Sequence, residues 1–316
     1  MDIFGDRFSI ELFGASHAPE VGAVIRGVPA ELPLDPADFT ADLLRRKSGA
    51  KGTTARLEDD IPEIDDRRDA DGSVIISFAN RNIRPEDYSR FLDIPRPGHA
   101  DFVAARRYGS LLDGKFSGRM TLPLVAAGVI AKKLVAPVRI EARLTEIGGA
   151  AAGTPEADAA LEEAMAQGDS LGGIVECVCT GVPVGLGEPF FDSLESLLSH
   201  ALFSIPGIRG VEFGDGFAAS RMKGSEHNDP IADATGRTLR NGAGGINGGL
   251  SNGNPVVFRI AVKPTSSIRK LQRTFDFSTG EMTDISIPGR HDACFALRVP
   301  PVVEAMTAIV LANLIV

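Results

Sequence analysis

The chain has 316 residues, of which 43 % are hydrophobic and 24 % are charged, as is typical of a globular enzyme. Its formal net charge of −9 argues against non-specific nucleic-acid binding, which needs a basic surface. No apolar run approaches the roughly 18 residues of a membrane span, and MDIFGDRFSIELFG has no basic region followed by an apolar block. We therefore expect a cytoplasmic protein with no membrane contact.

Six segments are predicted as strands because each is rich in β-branched residues and bounded by glycine or proline. In chain order they are 7–14, 22–28, 73–79, 137–147, 172–182 and 255–264. Strands and helices occur in blocks rather than in alternation, which favours an α+β fold of packed layers. No change in composition separates two halves, so we expect one domain over 1–316.

Two helices are predicted from their ends, which carry a capping residue, a proline in the first turn and a following glycine. These residues are Asp35, Pro36 and Gly49 in 34–49, and Thr154, Pro155 and Gly168 in 153–168.

Two further helices are predicted from apolar residues. In DSLESLLSHALF an apolar stripe repeats at helical spacing, and His200 on that helix is interpreted as structural. The stripe comprises Leu194, Leu197, Leu198, Ala201 and Leu202. The C-terminal PPVVEAMTAIVLANLIV is apolar on most sides, so we expect a helix buried in the core or in a subunit contact.

Cysteine usage indicates neither disulfides nor a metal site. The chain has three cysteines, and an odd number argues against a disulfide framework. Cys177 and Cys179 occupy alternate positions of a predicted strand and so share one face. We expect buried thiols there, because no second Cys or His pair completes a zinc ligand set.

Three of the five histidines lie among small or turn-forming residues, where an imidazole is reachable by a ligand. His17 lies in FGASHAPE, His99 in RPGHAD and His291 in PGRHDAC. The prolines and glycine around His99 predict a tight, well-defined loop. Imidazoles suit general acid or base chemistry on a phosphate or a flavin nitrogen.

Cations concentrate in two stretches of this acidic chain, which predicts an anion site. The members are Arg45, Arg46, Lys47, Lys51 and Arg56, and then Arg96, Arg106, Arg107, Lys115 and Arg119. Cations at the end of the helix in 34–49 could instead complement its dipole.

A glycine-rich run, 241–255, precedes the strand that ends in KPTSS, 263–267. Exposed backbone N–H groups beside lysine and hydroxyl side chains form a plausible phosphate cradle. The order of residues is neither a Walker A loop nor a dinucleotide-binding fingerprint. Residue chemistry alone therefore indicates a phosphorylated cofactor.

The sequence resembles the chorismate synthase family over nearly its whole length, apart from 57–80 and 268–285. The matching stretches are GASHAPEVGAVIRGVPAELPL, RPGHAD, DSLGGIVECVCTGVPVGLGEPFFDSLESLL, SIPGIRGVEFGDGF, RMKGSEHNDP, GAGGINGGLSNG, KPTSSI and GRHDACFALRVPPVVEAM. The resemblance implies a β–α–β sandwich and a homotetramer. It also implies a lyase of aromatic amino-acid biosynthesis that converts 5-enolpyruvylshikimate 3-phosphate to chorismate and phosphate. The family's 1,4-anti elimination requires reduced FMN, for which NADPH is a candidate reductant.

The resemblance also assigns residues, and it implies no metal site. His17 supports the protonation state of the reduced flavin, His99 protonates the departing phosphate, and Asp292 assists removal of the C6 proton. The implied cofactor contacts are Lys115, Phe116, Ser117, Pro206, Gly207, Gly248, Lys263, Pro264, Thr265, Ser266, Ser267 and Arg290. The implied substrate contacts are Arg45, Arg46, Lys51, Arg56 and Arg119.

The chain departs from the family pattern where KFSGRMT, from Lys115 to Thr121, replaces R-S-S-A-R-E-T. A lysine at 115 keeps the charge but loses the bidentate fork of arginine. The chain has Lys51 and Leu57 where the family has arginines. Two alternatives to the lyase therefore stay open, an NAD(P)H-dependent flavin reductase and a non-catalytic flavin- or anion-binding paralogue. Neither alternative needs His17, His99 and Asp292 together.

Overall fold

The computed structural model describes residues 3–56, 58–82, 89–289 and 291–315, and its two largest sheets are antiparallel and five-stranded. The first sheet, in spatial order, contains β1 (Ile3–Phe4), β2 (Ser9–Gly14), β3 (Glu20–Arg26), β5 (Ser73–Ala79) and β4 (Glu63–Arg67). The second contains β7 (Ala150–Ala151), β6 (Arg139–Ile147), β8 (Gly173–Thr180), β12 (Val256–Val262) and β9 (Ile208–Phe213).

Two apolar helices fill the space between the sheets. The helix α4 (Thr121–Leu134) packs against β3 and β5, and α8 (Pro300–Ile315) packs against β6 and β8. The helices cross closely at Gly128, where an added Cβ would come within 2.2 Å of the Ala305 Cβ. A helix that is apolar on all sides must be buried, and this layer buries both. The burial predicted for the C-terminal helix is thus confirmed.

The remaining elements surround these layers. The helices are α1 (Thr40–Arg46), α2 (Arg68–Asp71), α3 (Asp101–Tyr108), α5 (Pro155–Gln167), α6 (Leu194–Phe203) and α7 (Gly224–His227). Two hairpins are formed by β10 (Ile246–Asn247) with β11 (Leu250–Ser251) and by β13 (Gln272–Asp276) with β14 (Glu281–Ile285).

The six predicted strands are confirmed, each with ends within two residues of the prediction. The helix predicted in 153–168 is confirmed with Thr154 as N-cap and Gly168 in the left-handed conformation. The helix predicted in 34–49 begins as a 3₁₀ turn capped by Asp35. It ends earlier than predicted, at Arg46, because Lys47 turns into an extended conformation before Gly49 is reached.

One continuous hydrophobic core joins both sheets and the helix layer, and the predicted α+β class is confirmed. Cys177 and Cys179 are buried free thiols, as predicted. His200 is exposed on α6, and its ring packs edge-on against Phe4 with the ring centroids 5.4 Å apart. In the part of the chain that is described, no helix combines the length and apolarity needed to cross a membrane. The single domain over 1–316 stays a prediction.

Candidate active site

A cavity of about 460 Å³ forms where segments from across the chain meet, a volume within the range of small-molecule sites. The three predicted catalytic residues His17, His99 and Asp292 all line it. The predicted cofactor and substrate contacts that line it are Phe116, Ser117, Pro206, Gly207, Lys263, Pro264, Thr265, Ser266, Ser267, Arg46, Arg56 and Arg119.

The loop that carries His99 is held tightly, as its prolines and glycine predicted. Gly98 has a φ of +69°, and the His99 N–H donates to the Arg96 carbonyl 3.2 Å away. The His99 Nδ1 lies 2.6 Å from the Asp101 Oδ1 and 3.0 Å from the Arg96 Nη2. Burial lowers the pKa of His99, the hydrogen bond to Asp101 raises it in part, and the Arg96 charge lowers it further.

Arg96 and Asp101 form a buried fork beside this imidazole. The Arg96 Nε and Nη2 each donate to Asp101, at 2.7 Å, and Nη1 donates to the Ser267 hydroxyl at 2.9 Å. Burial raises the pKa of Asp101, but the Arg96 and His99 hydrogen bonds outweigh it and hold the pKa well below its usual range. Sequence reasoning placed Arg96 in a cation cluster and missed Asp101, although the spacing in RPGHAD sets the two side chains close together.

A second clamp holds the same loop from the end of β12. The Lys263 ammonium donates to the Gly98 carbonyl at 2.5 Å and to the Ser266 hydroxyl at 2.6 Å. The Ser266 hydroxyl in turn donates to the Gly98 carbonyl at 2.8 Å. Burial lowers the pKa of Lys263, and the Arg209 charge lowers it further. Two predicted cofactor contacts therefore also fix the backbone next to His99.

The His17 ring contacts its own neighbour and a backbone carbonyl, with its Nδ1 3.1 Å from the Ser16 hydroxyl. Its Nδ1 lies 3.0 Å from the Asp113 carbonyl oxygen, which also accepts the His17 backbone N–H at 3.0 Å. Leu112, Asp113 and Gly114 all have positive φ, so this turn is left-handed and strained. Burial is the main cause that lowers the pKa of His17, and the charge of Arg56 adds to it.

Gly114 is required for this arrangement, because an added Cβ would lie 2.4 Å from the His17 Nδ1 and 2.5 Å from the Ser16 Oγ. Gly118 has a similar role in KFSGRMT, since an added Cβ would lie 2.8 Å from the Phe295 ring. The departure from the family pattern thus includes a glycine that admits an aromatic ring into the cavity wall.

Asp292 is fixed by two donors, the backbone N–H of Thr54 at 2.8 Å and the Arg298 Nη2 at 2.6 Å. Its neighbour His291 differs, because the buried His291 Nε2 has no hydrogen-bond partner among the described residues. Burial and the Arg96 charge lower the pKa of His291 to about 4. Arg298 lies in the same GRHDACFALR stretch as Asp292, but the sequence alone did not identify it as a site residue.

The cavity holds more cations than its carboxylates can pair. Arg46 and Arg119 both pair with the single carboxylate of Asp60, while Arg56 donates to Glu58 at 2.8 Å. Burial and the charge of Arg298 lower the pKa of Arg46 to about 9. A bound anion would relieve this crowding of positive charge.

Several predicted contacts lie outside the cavity. Arg45 turns toward the helix layer, where both its terminal nitrogens donate to Glu304 at 2.7 Å. Lys51 is exposed and pairs with Glu162. Lys115 does not line the cavity, and Arg290 lies outside the described residues. The substrate contacts predicted for Arg45 and Lys51 stay predictions, and in this structure a carboxylate outside the cavity holds each side chain.

Only part of the predicted phosphate cradle lines the cavity. Residues 263–267 line the cavity, but none of 241–255 does so in the described structure. Gly248 lies in the exposed turn between β10 and β11. The glycines of this run instead permit close backbone packing, because an added Cβ at Gly244 would lie 2.5 Å from the Gly214 nitrogen. Arg106, on α3, is also outside the cavity, and its guanidinium stacks over the rings of Phe102 and Phe277.

The cavity lining fits a flavin. Three polar atoms of lining residues, the Thr265 Oγ1, the His291 Nε2 and the Arg298 Nε, are buried without a hydrogen-bond partner among the described residues. The rings of Phe116 and Phe295 line the cavity, and Phe116 is 39 % exposed. At Gly207, with a φ of +87°, the nearest neighbour of an added Cβ is 3.8 Å away, so backbone is open to a ligand there. The described residues contain no group of His, Cys, Asp and Glu side chains suited to a metal ion.

Comparison with known proteins identifies chorismate synthases as relatives of this chain. The sequence model of the chorismate synthase family matches residues 8–316. The chorismate synthase of Chitinophaga pinensis is 54 % identical and covers 99 % of this chain and 96 % of the relative. That of Dehalococcoides mccartyi is 43 % identical, with 98 % and 95 % covered. A crystal structure of a chorismate synthase, 24 % identical, superposes with a TM-score of 0.74 and covers 98 % of this chain and 92 % of its own, which shows a shared fold.

Proposed function

Because this chain belongs to the chorismate synthase family, a family of lyases, we propose that it converts 5-enolpyruvylshikimate 3-phosphate into chorismate and phosphate. The proposed reaction is a 1,4-anti elimination in the biosynthesis of aromatic amino acids. The observation that supports it most is the convergence of His17, His99 and Asp292 on one cavity with a surplus of cations.

The cations supply the proposed substrate site. The substrate carries a phosphate and two carboxylates, and guanidinium groups bind such anions through paired hydrogen bonds. We assign Arg46, Arg56 and Arg119 to this site, since all three line the cavity. Their contribution to rate comes from contacts that strengthen as charge develops on the departing phosphate.

His99 is proposed as the general acid. Proton transfer to the phosphate oxygen as the C–O bond breaks makes the leaving group more stable. The clamps on Gly98 and on the imidazole fix the donor before substrate arrives, so little reorganisation is needed during the reaction.

Asp292 is assigned to the removal of the C6 proton, and His17 to the protonation state of the flavin. Arg298 and the Thr54 N–H hold Asp292 in one orientation. Burial lowers the pKa of His17, the hydrogen bond from its ring to the Asp113 carbonyl raises it in part, and the Arg56 charge lowers it further.

Reduced FMN would be held by Phe116, Ser117, Pro206, Gly207 and the segment 263–267. When bound, the reduced flavin supplies electron density that stabilises the electron-poor ring of the substrate. A homotetramer, a cytoplasmic location and NADPH as reductant complete the proposal. Gly248, Lys115 and Arg290 are proposed as further flavin contacts, formed within the tetramer. Substitution of each residue, followed by a flavin titration, tests these contacts.

An anaerobic assay with photoreduced FMN and the enolpyruvyl substrate tests the proposal by following phosphate and chorismate together. We expect equal amounts of both, with no net oxidation of the flavin. Flavin reduction by NAD(P)H without phosphate release would favour the reductase. Ligand binding without turnover would favour the non-catalytic paralogue.

A further inference from the structure

We propose that Asp101 is a positioning residue that fixes the tautomer of His99, so that Nδ1 carries the inward proton and Nε2 is the nitrogen available to the cavity. The catalytic consequence of this inference rests on the proposed function. The tautomer itself does not, and the two can fail separately.

The first step of the argument concerns which neighbour the His99 Nδ1 bonds. A guanidinium only donates, whereas an ionised carboxylate only accepts, so one ring nitrogen cannot bond both neighbours at once. The Asp101 Oδ1 is closer, at 2.6 Å against 3.0 Å for the Arg96 Nη2. That Arg96 nitrogen already donates to Asp101 at 2.7 Å. The hydrogen-bond network therefore assigns the proton to Nδ1, donated to Asp101.

The second step concerns whether Asp101 can turn away. Its side chain is 2 % exposed, and its Oδ2 accepts both the Arg96 Nε at 2.7 Å and the Arg96 backbone N–H at 3.1 Å. Arg96 is in turn anchored by Ser267 and lies 4.4 Å above the Phe91 ring. Every acceptor oxygen of Asp101 thus faces a donor, and the carboxylate has one orientation.

The third step concerns charge around the imidazole. Among the described residues, the charged and titratable groups that face it are Arg96 from its own loop, Asp101 from the start of α3, Lys263 from the end of β12, and His291 from the segment before α8. Asp101 is the one carboxylate in that set. It favours the protonated imidazole, while Arg96 and Lys263 oppose it.

Asp101→Asn removes the negative charge at constant size, and Asp66→Asn is the matched control. Asp66 forms a similar bidentate pair with Arg68, at 2.9 and 2.6 Å, on β4 away from the cavity and without an imidazole. We expect Asp101→Asn to lower kcat by on the order of 10²-fold, with KM changed less than about threefold, and Asp66→Asn to change neither. The alkaline fall in kcat should move to lower pH in Asp101→Asn, because His99 loses the group that favours its protonated form.

Nitrogen NMR of the full-length protein labelled at histidine measures the tautomer of His99 and does not depend on catalytic activity. We expect the neutral His99 of the wild-type protein to carry its proton on Nδ1, with its signals identified by their loss in His99→Gln. We expect Asp101→Asn to lose that preference and Asp66→Asn to keep it. A wild-type proton on Nε2, or an unchanged tautomer and pH profile in Asp101→Asn, would overturn the inference. Absent chorismate formation with the expected tautomer would instead count against the proposed function.

Discussion

His99 and His17 line the same cavity, yet the chain holds the two imidazoles by different means. The Nδ1 of His99 meets a buried carboxylate that is itself forked by Arg96. The Nδ1 of His17 meets the Asp113 backbone carbonyl in a left-handed turn. A carboxylate favours an imidazolium both by its charge and by hydrogen bonding, whereas a neutral carbonyl favours it by hydrogen bonding alone.

The two sites therefore orient a catalytic imidazole in two different ways. The His99 site depends on charge and on partners distant in the sequence, such as Ser267 and Lys263. The His17 site depends on the shape of one strained turn and on the absence of a side chain at Gly114. Substitutions at the first should change pH dependence, and substitutions at the second should change stability and ring placement.

The largest expected effect is that of His99→Ala. Loss of the general acid should lower the rate of phosphate release by about 10²–10⁴-fold and abolish the alkaline fall that His99 causes. Flavin affinity should stay within about threefold, which a flavin titration measures. The comparison variant His17→Ala should keep that alkaline fall. Normal turnover in His99→Ala would refute the role given to His99.

Gly114→Ala tests the shape of the His17 site. The added methyl meets His17 and Ser16 at a φ of +81°, so we expect a loss of roughly 2–5 kcal/mol in the free energy of unfolding. Gly72→Ala is the control, because Gly72 has a φ of +76° and open space around an added Cβ. It should lose about 1 kcal/mol from backbone strain alone. Equal losses in urea unfolding would show that the contact with His17 is unimportant.

His291 extends the comparison to an imidazole with no partner on Nε2. Its folded pKa of about 4 lies below the unfolded value near 6.5, so the unfolded chain binds the proton first as pH falls. Stability is therefore complete above about pH 6.5 and falls toward pH 4, by on the order of 3 kcal/mol from this group. In urea unfolding experiments between pH 6.5 and pH 4, the free energy of unfolding should fall less steeply with pH in His291→Gln than in the wild-type protein. Parallel declines in both proteins would contradict the assignment.

The smallest expected effect comes from comparing a cation that lines the cavity with a cation outside it. Arg56→Ala should raise KM for the enolpyruvyl substrate by about tenfold, because Arg56 lines the cavity. Lys51→Ala should change KM less than about twofold, since its exposed ammonium pairs with Glu162. Steady-state assays at one salt concentration compare the two. A larger effect for Lys51 would place it in a substrate site completed by another subunit.

Local signals in the sequence predicted much of this fold. Thr154, Pro155 and Gly168 mark helix ends because capping is decided by near neighbours. The helix α4 was missed because no capping side chain marks its start, where Met120 is the N-cap, and because Gly128 interrupts its apolar run.

The site was predicted less evenly, because its partners are set by the fold. Motifs identified His17, His99 and Asp292, which the structure brings to one cavity. Arg45 looked equivalent to Arg46, but its partner Glu304 lies 259 positions away, on α8. No local sequence pattern predicts such a pairing. Likewise, no pattern predicts that 263–267 line the cavity while the glycine-rich run before them does not.

A crystal structure with FMN and the enolpyruvyl substrate tests the central claim most directly, through the distance from the His99 Nε2 to the phosphate ester oxygen. We predict about 3 Å, within hydrogen-bond reach, with Nδ1 still on Asp101. A phosphate bound beside His17, with His99 beyond the reach of any substrate oxygen, would contradict the account.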